Sequence, residues 1–160
     1  MSVDQPRLRV LVVENEGLLR LAVEEMLLEL GHEIVGWANR ARIAIDEAER
    51  TQPDVVLMDI QLDGPRDGID AAHEIRSRFG IPSLFMTGAT DPDTYRRALI
   101  AQPLGYLRKP LLLEDLKASL NSLSAVPRGV APPSIHATPA ADVQFVSFDT
   151  ARKSPPDSSD

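Results

Sequence analysis

Between residues 8 and 124, short β-branched or apolar runs alternate five times with longer amphipathic stretches, and this alternation constrains the fold more than any other feature of the chain. The runs are LRVLVV (8–13), EIVGWA (33–38), DVVLMD (54–59), PSLFMT (82–87) and GYLRK (105–109). Stretches with helical patterning lie at about 17–30, 40–51, 67–79, 91–102 and 112–124. Parallel neighbours need a crossover of about a dozen residues or more, usually a helix, and strands buried on both faces lose their polar alternation. VLVV and VVLM have none. The pattern predicts stacked βα units forming a three-layer α/β sandwich.

In the first helical stretch, Leu18, Leu21, Val23, Met26, Leu28 and Leu30 are expected to cover the sheet, with Glu24, Glu25 and Glu29 opposite. Gly31 and Gly80 read as helix ends, and Asp91-Pro92 reads as an N-cap followed by proline at the first helical position.

Composition shifts near Val126. Residues 126–160 hold 6 of the 13 prolines together with many Ser, Ala and Thr, so the sequence divides into a domain at 1–125 and a tail at 126–160 expected to be disordered. Within the tail, VQFVSF (143–148) is an apolar island that could dock on the domain, extend a sheet edge or meet a partner.

Charge and cysteine content narrow the function classes. Seventeen Lys and Arg against 24 Asp and Glu give a net charge of −7, the wrong sign for a chain that lives on nucleic acid. With no cysteine, thiol nucleophiles, zinc ribbons and disulfide scaffolds are excluded, and a reducing, cytoplasmic setting fits. No apolar run approaches the roughly 18 residues of a membrane span, and MSVDQPRLR lacks a secretory hydrophobic region. His32, His73 and His136 stand apart in the sequence and receive no catalytic role.

In open parallel sheets, ligands collect at the carboxyl ends of the strands beside a reversal in strand order. The first run ends in Glu14-Asn15-Glu16, the third in Asp59, the fourth in Thr87-Gly88 and the fifth in Lys109-Pro110. Together these residues would make a cleft of carboxylates, a hydroxyl and an ammonium. Oxygen ligands of that kind suit Mg²⁺, a lysine suits a phosphoryl group, and Asp59 is placed to form an aspartyl phosphate.

LVVENE, VLMDI, FMTG and GYLRKP, in this order and spacing, resemble the strand-end motifs of response-regulator receiver domains of two-component signalling. The resemblance spans about residues 7–124 and implies a (βα)5 flavodoxin-like fold with a parallel five-stranded sheet in the order 2-1-3-4-5. It implies that Asp59 accepts a phosphoryl group from a histidine kinase or phosphotransfer protein. Glu14, Asn15, Asp59 and the Gln61 main-chain carbonyl would surround Mg²⁺. Thr87 and Lys109 would bind the phosphoryl group, and Tyr106 would turn inward as Thr87 moves. A cis peptide at Lys109-Pro110 is also implied.

Two departures from the family pattern stand out. The second acid of the strand-1 pair is Asn15, a weaker Mg²⁺ ligand, beside which Glu16 could act through water. The acceptor loop IQLDGPRDG has Asp63 where the commoner pattern has proline, and it fits a subgroup of the type D-I-x-L-x-G-x-x-D-G. Gln61 and Ala89 occupy positions that the resemblance ties to the lifetime of the phosphoryl group.

Expected function is that of a single-domain response regulator that signals by contact with a downstream target protein, with no nucleic acid or membrane partner. A homodimer through the fourth-helix, fifth-strand and fifth-helix face would draw on Leu99, Ile100, Leu104 and Leu116. The alternative is a phosphorylation-independent binding module with a metal site weakened by Asn15. A phosphatase of the haloacid-dehalogenase type would need a second Asp where Gln61 stands.

Overall fold

A computed structural model describes residues 5–88 and 91–124. The elements follow in strict alternation: β1 (Arg9–Val13), α1 (Gly17–Glu29), β2 (Glu33–Ala38), α2 (Ala41–Thr51), β3 (Val55–Asp59), α3 (Gly68–Phe79), β4 (Ser83–Thr87), α4 (Pro92–Ile100), β5 (Gly105–Arg108) and α5 (Leu113–Ser124). All four strand pairings are parallel, and the sheet runs β2-β1-β3-β4-β5. This is the flavodoxin-like (βα)5 sandwich that the sequence pattern and the resemblance predict.

Period-2 geometry sends successive strand side chains to opposite faces, and both faces are covered. Leu11, Val13, Val56, Met58, Phe85 and Tyr106 pack with α2, α3 and α4. Val10, Val12, Val55, Leu57, Leu84, Met86 and Leu107 pack with α1 and α5. The uninterrupted apolar runs follow from this double burial.

One sequence expectation is corrected at α1. The buried side chains are Val23 and Leu27, flanked by half-buried Leu19, Met26 and Leu30, whereas Leu18, Leu21 and Leu28 are exposed. At 3.6 residues per turn, positions 19, 23, 26, 27 and 30 share one narrow stripe, and the sheet covers only that stripe. Leu104 and Leu116, candidates for a dimer face, are likewise core residues packed on the α1–α5 side, while Leu99 and Ile100 are exposed.

Helix ends follow local chemistry. Asp91 caps α4 by accepting from the Thr94 N–H at 2.9 Å, with Pro92 opening the helix. Gly31 and Gly80, just past α1 and α3, have φ of +83° and +67°, a region costly for side-chain-bearing residues. His32 is buried, and its Nδ1 accepts from the Leu8 N–H at 3.1 Å, tying the start of β2 to the start of β1.

Candidate functional site

Strand order reverses at β1, which lies between β2 and β3, so the carboxyl ends of β1 and β3 border the crevice where such sheets bind ligands. Val13 pairs with Met58, which puts the next residues, Glu14 and Asp59, side by side. Both are almost wholly buried, at 1% and 2% exposure. Burying two carboxylates together is expensive unless they are paired.

Lys109 supplies the pairing. Its Nζ stands 3.1 Å from Glu14 Oε2 and 3.1 Å from Asp59 Oδ2. The other oxygen of each carboxylate accepts a main-chain hydrogen bond two residues on: Glu16 N–H donates to Glu14 Oε1 at 3.1 Å, and Gln61 N–H donates to Asp59 Oδ1 at 3.0 Å. These Asx-like turns set the direction in which each acid faces. Lys109 itself is placed by its own N–H, which donates to the Thr87 carbonyl at 2.9 Å, and the Lys109-Pro110 bond is cis.

Asn15 completes the cluster. With its amide oriented to satisfy its neighbours, the nitrogen donates to Asp59 Oδ2 at 3.1 Å and to Glu14 Oε1 at 3.3 Å. The Asn15 side chain thus acts as a second donor bridging the two carboxylates. Glu16 is exposed at the N-cap of α1.

Burial, and then the negative charge of Glu14, push the Asp59 carboxyl up to about 6 against the pull of Lys109. Burial works to lower the Lys109 ammonium, yet the attraction of Asp59 and Glu14 outweighs it, so Lys109 stays protonated above its ordinary range. The cluster therefore combines an acid held at near-neutral strength with a fixed cation.

The residues fit a small hard cation. Mg²⁺ is usually held by one or two carboxylates and keeps several waters, which matches two buried acids and an amide. Glu14 Oε2 meets the Lys109 ammonium at 3.1 Å, and a carboxylate oxygen keeps a second lone pair for a cation. Among the described residues no group of three or more His, Asp or Glu converges as a metal site.

Thr87 ends β4, buried, in register with Arg108 of β5. Tyr106 lies inward, 5.9 Å from the Phe85 ring and 5.2 Å from the Tyr95 ring of α4. Burial, and then the neighbouring Tyr95, raise the Tyr106 phenol, so it is neutral at any physiological pH. Gln61 lies two residues past the end of β3 and is exposed.

Several contacts were missed from sequence. Asp67 caps α3 by accepting from the N–H groups of Ile69 and Asp70, and Asp70 accepts in return from the Asp67 N–H. Arg97 of α4 reaches across to Asp67 at 2.8 Å. Burial works against the Asp67 charge, but Arg97 and the helix N–H groups hold its carboxyl below the usual range. A D-G pair before a helical pattern signals the cap, whereas nothing in the sequence signals the Arg97 and Tyr95 contacts. Ala89, the tail at 126–160 and its island at 143–148 lie outside the described residues.

Comparison with known proteins places this geometry in context. Residues 10–121 match the family described as response regulator receiver domain. The transcriptional regulatory protein PdtaR of Mycobacterium tuberculosis is 44% identical over 108 residues, covering 68% of this chain and 52% of that protein. The transcriptional regulatory protein DesR of Bacillus subtilis is 32% identical over 124 residues, covering 77% of this chain and 61% of that protein. The chain thus spans about half to three fifths of the length of these relatives. The signal receiver domain of a modulated diguanylate cyclase from Desulfovibrio desulfuricans superimposes with a TM-score of 0.71 at 30% identity, covering 74% of this chain and 94% of that one.

Proposed function

The chain belongs to the response regulator receiver domain family, and from that premise we propose that it accepts a phosphoryl group on Asp59 and signals by protein contact. The observation that carries this reading is the meeting of Asp59, Glu14 and Lys109 within 3.1 Å at the strand ends.

An Asp59 oxygen attacks phosphorus, forming the aspartyl O–P bond as the bond from phosphorus to the donor's nitrogen or oxygen breaks and the donor leaves with that electron pair. With its carboxyl at about 6, Asp59 is roughly nine-tenths ionised at pH 7 and available as the nucleophile. Lys109 is already beside the attacking oxygen, so its charge is in place before negative charge shifts onto the transferred group. Thr87, at the neighbouring strand end, would donate its hydroxyl to one of the phosphoryl oxygens. Glu14, Asn15, Asp59 and the Gln61 carbonyl would hold Mg²⁺, which supplies further positive charge to the phosphoryl oxygens when bound. For that, the Asn15 amide must turn its oxygen toward the site.

The donor is a histidine kinase or phosphotransfer protein, and the target is a protein that reads the α4, β5 and α5 surface. Tyr106 would report the state of Asp59 to that surface through Thr87. The charge of −7 argues against nucleic acid as the direct target. No helix among the described residues is long and apolar enough to cross a membrane.

The Asn15 contact favours a second reading, a binding module in which the amide substitutes for the cation and the acceptor is idle. Intact-protein mass after incubation with acetyl phosphate and Mg²⁺ decides between them. A labile gain of one phosphoryl mass that disappears in Asp59→Asn is expected. No gain in the native protein, with a gain in Asn15→Asp, would favour the binding module.

A further inference from the structure

We propose that Gly68 is a positioning residue for phosphoryl acceptance, seating the first turn of α3 directly on the main chain of Asp59. This rests on the reading of Asp59 as acceptor.

Gly68 opens α3 and is buried. Its φ is not positive, unlike those of Gly31, Gly64 and Gly80, so backbone conformation does not call for glycine. Space accounts for it. A Cβ at position 68 would lie 1.8 Å from the Asp59 carbonyl oxygen, 2.8 Å from its carbon and 3.0 Å from the Ile60 Cα. All three are backbone atoms, which cannot rotate away as a side-chain tip can.

The contact is pinned from both sides. Gly68 N–H donates to the Ile60 carbonyl at 2.9 Å, and Ile60 N–H donates to the Met86 carbonyl at 3.2 Å, fixing the end of β3 to β4. On the helix side, the reciprocal Asp67–Asp70 cap holds the first turn together. The acceptor peptide is therefore clamped between β4 and α3. Any side chain at position 68 must move Asp59 or α3 by more than 1 Å to regain an ordinary contact. Misplacing a reacting group by about 1 Å costs on the order of 100-fold in rate.

The test compares Gly68→Ala with Gly31→Ala in the full chain. Gly31 also resists substitution, because its φ is +83°, but it lies beyond α1 with nothing within 4 Å of an added Cβ. Both variants are assayed at a temperature where urea titration shows each more than nine-tenths folded. With acetyl phosphate and Mg²⁺, Gly68→Ala is expected to lower the maximal rate of phosphoryl gain at least tenfold while leaving the half-saturating donor concentration unchanged. Gly31→Ala should keep the native rate. A Gly68→Ala rate within twofold of Gly31→Ala overturns the proposal.

If the native protein gains no phosphoryl group, the acceptor reading fails on its own terms. The ¹⁵N amide signal of Gln61, which donates to Asp59 Oδ1, then decides the positioning claim: it must shift in Gly68→Ala and not in Gly31→Ala. Should Gly68→Ala fail to fold, Asp67→Ala replaces it, removing the cap without adding bulk, and an unchanged rate and Gln61 signal there overturn the claim.

Discussion

Replacing Asp59 with Asn should make the protein more stable, and the structure sets the size of the gain. Burial and Glu14 raise the Asp59 carboxyl from 3.8 to about 6. The folded protein thus holds this proton more tightly than the unfolded chain does. The associated stability is fully present below pH 3.8 and is lost as pH rises through about 6. At 1.36 kcal/mol per pH unit, keeping Asp59 ionised above pH 7 costs about 3 kcal/mol. Asn fits the same space and can still accept from the Gln61 N–H, and Lys109 keeps Glu14 as a partner. The pull of Lys109 is already inside that figure, but the Asn amide nitrogen would take the place of Oδ2 and face the Lys109 ammonium, donor against donor; subtracting about 1 kcal/mol or more for that meeting leaves a gain of roughly 1–2 kcal/mol at pH 8. By the same linkage, the 3 kcal/mol cost falls to roughly half by pH 5, so the advantage of Asn must shrink or vanish there. Urea titrations of both proteins at pH 8 and pH 5, in EDTA, measure this directly. A variant less stable than the native protein at pH 8, or an advantage that does not change with pH, refutes the reasoning.

Asn15→Asp should reverse the balance at the same cluster. It puts a third carboxylate about 3 Å from Glu14 and Asp59, a repulsion limited by the roughly 4 kcal/mol that protonating one acid costs at pH 7. A loss of about 1–4 kcal/mol in EDTA, recovered by millimolar Mg²⁺, is expected in urea titrations, and equal stability of the two proteins in EDTA would contradict it. Lys109→Ala should cost about 3–5 kcal/mol, since it leaves two buried carboxylates without their cation, and adding Asp59→Asn should restore part of that loss; a double variant no better than the single one argues against the pairing. Burial lowers the His32 imidazole, so its contribution is intact above pH 6.5 and is lost as pH falls below that value. In an Asp59→Asn background, unfolding midpoints should fall from pH 7.5 to 5.5 and the fall should be smaller with His32→Gln; identical slopes would remove His32 as the cause.

The fold was legible because each strand declares itself as a short apolar run and each helix as a longer patterned one. Asp59, Thr87 and Lys109 each end or follow such a run, so knowing the strands already places them at one end of the sheet. The side of α1 that faces inward was harder to read, because leucines lie on both sides of the helix. Asn15 was visible as a departure, but its action as a donor depends on which way the amide faces the two acids. Gly68 lies nine residues after Asp59, and its tight seat on that residue's carbonyl exists only once the loop between β3 and α3 has closed. The Arg97–Asp67 pair spans 30 residues and two helices, and neither side chain differs in type from an ordinary surface charge.

Lys109, the one cation between Glu14 and Asp59 among the described residues, leaves β5, the shortest strand, which has β4 as its single neighbour in the sheet. An edge of four residues is expected to open at a lower free energy than the central strands, and fraying there would withdraw the ammonium while β1 and β3 keep the two acids together. Chemical competence is then a threshold that lies below global unfolding. As temperature or denaturant rises, Asp59 should take up a proton beside Glu14, and the site should switch off as a unit, before the sheet that presents it comes apart.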